Sequence, residues 1–319
     1  MRYQLADYEW AAIKPMLPNK PRGVPRVNDC RVLNGIFWVL RSGAPWRDLP
    51  KAFGPYTTCY NRFVRWRRAG VWGRIIDALA GALNVAVQMI DTSIVRVHQH
   101  GACITWNQRQ SMGRSRGGLT SKIHAVVDSN GLPVRLALSP GQAHDDRLAG
   151  RLLSRLKSGS MLLADRGYDA DWIRELARTK GAWANIPPKS NRSAPICFSP
   201  FLYRARNRVE RFFNRIKQCR RVATRSDRLA ANYLAFVQLA SIRLWLRVNE
   251  STSLASPMGD PRLCRGGSRS VTFQQWPIDE RAPFVSHHAH EKELCDGPVL
   301  MSLPTSEENR VVLRIYHCL

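Results

Sequence analysis

Apolar residues recur at helical spacing through the first eighty positions, and the spacing changes afterwards. Val32, Leu33, Ile36, Phe37 and Leu40 fall three or four apart behind Asn28 and Asp29, either of which can cap a helix, and Gly43 can end it. Pro45 and Pro50 bracket the turn APWRDLP. Thr57 or Thr58 can cap a second helix that turns Tyr60, Phe63 and Val64 inward and Arg62, Arg65, Arg67 and Arg68 largely outward, up to Gly70. Two short helices on a tight turn, the second one basic, predict a helix-turn-helix-like all-α domain over residues 1–80 that sets its second helix in a DNA groove. The alternative is a small helical bundle with a solvated basic face.

Strand-like runs follow. Val85 to His98 reads as a buried strand carrying Asp91, and Lys122 to Asp128 and Leu132 to Ser139 as two strands joined by Ser129-Asn130-Gly131, a hairpin signal. Met161 to Ala164 is a short apolar strand ending at Asp165. Asp171 to Lys180 predicts a helix, Ala182 to Ile186 a strand before Pro187-Pro188, and Asn232 to Val248 a final amphipathic helix. This is an α/β pattern over residues 81–250. The run GRSRGG around Arg116 to Gly118 reads as a flexible basic loop, and its lack of G-K-[ST] argues against nucleotide hydrolysis. Residues 251–319 are Pro- and Ser-rich without sustained periodicity, which predicts a disordered tail, and HHAHEKELCD within it lacks a metal-ligand spacing on a sure helix.

Charge narrows the partner. The chain carries 49 Lys and Arg against 24 acids, and residues 1–80 hold fourteen of the bases against five of the acids. The tail is near neutral, so the positive field belongs to the first 250 residues and calls for a polyanion, either nucleic acid or an acidic membrane. The longest apolar stretch, Ile75 to Ile90, is interrupted by Asp77, Asn84 and Gln88 and is too short for a membrane span. MRYQLADYEW has no apolar signal core, and the eight cysteines form no C-x-x-C pair. A cytoplasmic protein with reduced thiols is expected.

The most telling stretch is YRARNRVERFFNRIK, Tyr203 to Lys217. At about 100° per residue, Tyr203, Arg206, Glu210 and Lys217 fall within one arc of ~60°, so one helix face offers a carboxylate for a metal beside cations for phosphates. Phosphodiester chemistry needs an activated oxygen nucleophile and relief of charge on the leaving oxygen, which divalent ions held by a few carboxylates supply. Asp91, in an apolar strand where a lone carboxylate is costly, Asp165 at a strand end and Glu210 on the basic helix are the candidates. Among rival acids, Asp128 is more simply a turn residue, and Asp145, Asp146, Asp169 and Asp171 sit in loops or at a helix start where capping explains them. Arg206 and Lys217 suit phosphate, Tyr203 can stack on a base or simply pack, and His98 and His100 suit structure or phosphate contact rather than general base catalysis.

The pattern Y-x2-R-x3-E-x6-K, together with LADYEW, LRSGAPWRDLP, FGPYTTCYNRFVRW, IDTSIVRVHQH, GRSRGGLTSKIHAVVD, GQAHDD and LLADRGYDAD in this order, resembles the bacterial insertion-sequence DDE transposases of the group called insertion sequence five. The likeness runs from Tyr3 to Asn249. It implies an RNase H-like catalytic domain, with Asp91, Asp165 and Glu210 as a triad holding two Mg²⁺ ions (or Mn²⁺). It also implies a homo-oligomer on transposon ends and target DNA, bound to the nucleoid. The implied activity is recognition of terminal inverted repeats, strand cleavage and transfer of 3′-hydroxyl ends to target DNA. A nuclease without strand transfer, a DNA-binding regulator and an inactive remnant remain as alternatives.

Overall fold

The computed structural model describes residues 4–18, 28–81, 86–102 and 107–253. The expected strand start at Val85 and the tail beyond residue 253 lie outside them, while Ser251 to Ser253 still belong to the last helix.

Four helices come first: α1 (Asp7–Ile13), α2 (Asp29–Ser42), α3 (Tyr56–Arg68) and α4 (Val71–Gly81). Asn28 caps α2 by accepting the N–H groups of Cys30 and Arg31, and Gly43, at φ 72°, ends it in the left-handed conformation that favours glycine. Two expectations for α3 fail. Its N-cap is Pro55, without a side-chain bond, not Thr57 or Thr58, and the α2–α3 connection, Gly43 to Pro55, winds through two 3-10 turns rather than one tight turn. The cause is Trp46. It packs against Tyr60, Phe63 and Phe236, so the connection is a folded plug between α3 and the C-terminal helix. The tight turn of this region lies instead between α3 and α4, at Ala69-Gly70.

The sheet is built from β1 (Val87–Val97), β2 (Gly113–Ser115), β3 (Gly118–Val127), β4 (Pro133–Pro140), β5 (Met161–Leu163), β6 (Trp183–Asn185) and the short β7 (Thr224–Arg225). β1 is central. It pairs antiparallel with β3, which pairs antiparallel with β4, and on its other side β5 and then β6 run parallel to it. GRSRGG is no loose loop: Ser115 pairs with Gly118, making β2–β3 a two-residue hairpin in which Gly118 has φ 91°. Between and after the strands lie α5 (Ala149–Leu152), α6 (Asp171–Thr179), α7 (Pro200–Tyr203), α8 (Asn207–Lys217), α9 (Arg220–Ala223) and α10 (Ala230–Ser253).

Strand alternation sorts the core into two layers. Met89, Val95, Ile123, Ala125, Val127 and Leu163 bury one face against α8, α10 and the N-terminal helices. Ile90, Val126, Ala137, Leu162 and Ala164 bury the other against α5 and α6. α10 packs on α1, α2, α3 and α4 as well as on β4. The change of periodicity near residue 80 therefore separates two kinds of secondary structure that share one core, and the described residues form one compact unit.

Candidate active site

The register of the parallel pair places two acids side by side. Met89 on β1 is level with Leu163 on β5, and both face the same core layer. Two residues further along each strand direction come Asp91 and Asp165, which by the two-residue alternation point to that same face. β5 ends at Leu163 and Asp165 turns into the 3-10 segment Arg166–Tyr168, accepting the N–H of Gly167 at 3.0 Å. A Cβ at residue 167 would sit 3.0 Å from Asp165 Oδ1, so any larger residue there would push the carboxylate aside. The same face of β1 and β3 is crossed by α8, which brings the third acid.

Arg206 joins the group together. Its Nη1 donates to Asp91 Oδ2 at 3.1 Å and to Glu210 Oε1 at 2.9 Å, while its Nε donates to Tyr203 Oη at 3.2 Å. Lys217 Nζ, further along α8, donates to Ser93 Oγ at 2.6 Å and to the Ile94 carbonyl at 3.2 Å. Tyr203, Arg206, Glu210 and Lys217 thus work along one side of this segment as the helical arc predicts, although Arg204–Arg206 is a 3-10 link between α7 and α8 rather than continuous α-helix. Tyr203 packs edge-on against Phe198 and bonds Arg206, which favours its packing role over base stacking.

Burial dominates the electrostatics of Asp91. It pushes the carboxyl up to about 6, against the pull of Arg206 and of the Thr92 N–H, with Asp165 and Glu210 adding to the rise. The three carboxylates therefore feel one another, and Asp91 is the one held ionised at a cost. Lys217 is pushed down by burial.

Two rival acids do work that local reading missed. Asp145 starts a 3-10 turn, and its Oδ1 accepts from Lys122 Nζ at 2.8 Å and Thr92 Oγ1 at 2.9 Å. Burial would raise it, but these bonds hold it below the usual carboxylate range. It ties the loop GQAHDD to the residue after Asp91. The only sequence trace was Lys122, a charged residue inside the apolar run KIHAVV. Asp169 does not cap a helix either: it is a fully buried anchor for Arg174 and Arg192. Asp128 is the turn residue expected, its Oδ1 accepting from Asn130 and Leu132 N–H. The His98 and His100 rings meet at the surface at a tilt of 60°, and Tyr168 is buried with an unbonded hydroxyl.

The arginines of α3 divide into two kinds. Arg65 and Arg68 are exposed, whereas Arg62 is largely buried, pairs with Asp29 and lies over the Trp66 ring. Arg67 is half-buried with its Nε covered. Tyr60, expected inward, is 39% exposed, and Cys59 and Trp66 take the buried positions beside Phe63.

As a donor set, three carboxylates suit a hard divalent cation. Their spacing does not yet suit it: among the described residues no three His, Cys, Asp or Glu side chains lie close enough together to hold a metal. The guanidinium of Arg206 stands between two of them.

A mixed sheet with an antiparallel half, a parallel half and helices on both faces, carrying acids at the ends of its central parallel pair, defines an RNase H-like α/β protein. Residues 86–245 match the family described as "Transposase DDE domain" and residues 5–76 the one described as "Putative transposase of IS4/5 family". The chain belongs to the DDE transposases of insertion sequences. Over 130 residues, 40% of this chain and the whole of the relative, it is 40% identical to the "Putative transposase for insertion sequence element IS6501" of Brucella ovis. It is also 38% identical over 104 residues, 28% of this chain and 71% of the relative, to the "Insertion element IS402 uncharacterized 16.2 kDa protein" of Burkholderia cepacia. Among solved structures, the piggyBac transposase synaptic complex with hairpin DNA aligns over 79% of this chain and 73% of that one, at 11% identity and a TM-score of 0.49, too loose a likeness to carry a conclusion. No described helix is long and apolar enough to cross a membrane.

Proposed function

We propose that this transposase binds the terminal inverted repeats of its own insertion sequence, cuts a DNA strand at each end and transfers the freed 3′-hydroxyl to target DNA, with Asp91, Asp165 and Glu210 as its catalytic carboxylates. The observation that carries this reading is the arrangement of the acids: Asp91 on β1 and Asp165 just past the end of β5 each follow the paired Met89 and Leu163 by two residues, and Arg206 bridges Asp91 to Glu210. Divalent ions held by these carboxylates would activate the attacking oxygen and offset charge on the leaving one. The chain's own residues do the rest. Arg206 and Lys217 border the reacting phosphate, and Asp145 fixes the strand next to Asp91 through Thr92 and Lys122. Arg65 and Arg68 on α3 offer phosphate contacts that hold the duplex, and the excess of basic residues supports a double-stranded DNA partner.

The test uses a duplex containing an element end. Asp91→Asn, Asp165→Asn and Glu210→Gln should each abolish divalent-metal-dependent cleavage while leaving duplex binding within about twofold. A pre-cut end bearing a 3′-hydroxyl should be joined to a second duplex without any nucleotide cofactor, and a chiral phosphorothioate at the target should be inverted by the single in-line attack. Cleavage near wild-type rates in any of the three variants removes the triad. Products limited to water-cleaved strands leave a nuclease.

A further inference from the structure

Arg206 makes an unusual use of its guanidinium. An arginine beside a carboxylate commonly grips it with two parallel N–H groups. Here a single nitrogen, Nη1, serves one oxygen of Asp91 and one of Glu210, residues separated by more than a hundred positions in the chain. The two acids therefore converge on one positive atom. The side chain is 15% exposed, and Tyr203 Oη holds its Nε from behind. The remaining Asp91 oxygen, Oδ1, accepts the Thr92 N–H at 2.7 Å. Asp165 follows the end of β5, whose Leu163 pairs with Met89 on β1, and no second lysine or arginine is seen bonded to Asp91 among the described residues.

A divalent ion shared by Asp91 and Glu210 would need the same oxygens at roughly 2.0–2.1 Å for Mg²⁺. The guanidinium nitrogen already occupies the position between the two acids that a shared ion would take, and two cations repel each other at that distance. Arginine has somewhere to go, since a phosphate is its other well-matched partner.

We propose that Arg206 is an exchangeable counter-ion. In the DNA-free protein it holds Asp91 and Glu210 together in place of a metal, and a phosphate of bound DNA draws it away and opens the two acids to a divalent cation. This rests on the reading of these acids as metal ligands. Metal and DNA affinities are then coupled, and the coupling is reciprocal. A transposase built this way carries no loaded metal centre until DNA is bound.

The experiment measures Mn²⁺ binding by the full-length protein without DNA, from the electron paramagnetic resonance signal of the free ion. Arg206→Gln should tighten Mn²⁺ binding at least tenfold. Lys217→Gln, which removes a nearby cation at the end of α8 that is bonded to Ser93 of β1, should change it less than twofold, and Asp91→Asn combined with Arg206→Gln should abolish the gain. Adding duplex DNA should tighten binding in the wild type and add little in Arg206→Gln. Unchanged affinity in Arg206→Gln overturns the exchange, as does equal tightening by Lys217→Gln, which would mark a general field effect. An equal DNA-dependent gain in Arg206→Gln overturns it as well. Should that variant melt early, Arg206→Lys keeps the charge but loses the grip of Tyr203, and tighter Mn²⁺ binding than wild type is expected of it too; none overturns the proposal. Wild-type binding that responds to Asp91→Asn but not to Arg206 sinks the exchange alone. Mn²⁺ binding indifferent to Asp91 in every variant sinks the metal reading with it.

Discussion

Asp91 and Asp169 are both acids in the interior of the same domain, and they are treated in opposite ways. Asp169 accepts Arg174 Nε at 2.9 Å, Arg192 Nε at 2.6 Å and the Lys189 N–H at 2.8 Å, with no side-chain exposure at all. Burial raises it, yet these bonds hold it down at about 2. Asp91 has one shared guanidinium nitrogen and its neighbour's N–H, and burial wins, leaving it at about 6. An acid with every lone pair answered from within the chain is structural: it pins the segment after Asp165 to the loop at Arg192. An acid left short of partners at the mouth of a strand pair is kept for something from outside. Burial alone does not separate the two. The partner list does.

The comparison can be tested on a stability scale. Asp169→Asn removes the buried charge between Arg174 and Arg192, which keep only the Ala184 and Ile186 carbonyls and the exposed Asp171, and should cost about 3 kcal/mol in urea unfolding at pH 7, in the range for breaking a buried pair. Its carboxyl is depressed in the fold, so its contribution is present above the unfolded value of 3.8 and fades as pH falls through about 2. The gap between wild type and variant should therefore narrow in acid. A loss under 1 kcal/mol at pH 7 would dissolve the contrast.

Asp91→Asn should do the reverse and stabilise the metal-free protein, by about 1–2 kcal/mol at pH 8, given roughly 1.4 kcal/mol per pKa unit less the lost Arg206 bond. The sign follows from the raised carboxyl. Asp91 contributes stability below 3.8 and loses it as pH rises through about 6, so the gain from asparagine should be full at pH 8 and vanish near pH 4. Thermal melts across that range decide it; a destabilised variant at pH 8 would show Asp91 to be structural too.

A similar split should appear among the arginines of α3. Arg62→Ala, which breaks the pair with Asp29 and the contact with Trp66, should cost about 1 kcal/mol. Arg65→Ala with Arg68→Ala should leave stability untouched but reduce the salt slope of DNA binding by about 2. The smallest effect belongs to Glu210→Gln. Its side chain is 54% exposed, so unfolding should shift by less than about 0.5 kcal/mol while cleavage is lost. A larger stability change there would mean that the Arg206 bridge holds the helix as well as the acids.

Much of the fold was readable along the chain. β3, β4, β5, β6 and α6 start and stop within a few residues of where alternation and turn residues put them, because those signals act between neighbours. The single tight turn expected between α2 and α3 is replaced by two 3-10 turns because Trp46 finds its partners at Phe63 and Phe236, which no local pattern announces. Asp145 looked like a loop residue for the same reason: its partners Thr92 and Lys122 lie on two other strands. GRSRGG looked like a loop until Ser115 found Gly118.

By itself the sequence determined the order of helices and strands, the basic first 250 residues, the helix face shared by Arg206, Glu210 and Lys217, and Asp91 and Asp165 as acids at apolar strands. Periodicity, capping and charge are properties of residues a few positions apart, so they survive without a fold. Only the tertiary structure decided that β1 and β5 run side by side, pairing Met89 with Leu163 two residues before Asp91 and Asp165. It alone gave Asp169 its two arginines and left Asp91 and Glu210 to share one nitrogen. The energy of a buried charge depends on which partners come within about 3 Å of it, and those partners are supplied by distant parts of the chain.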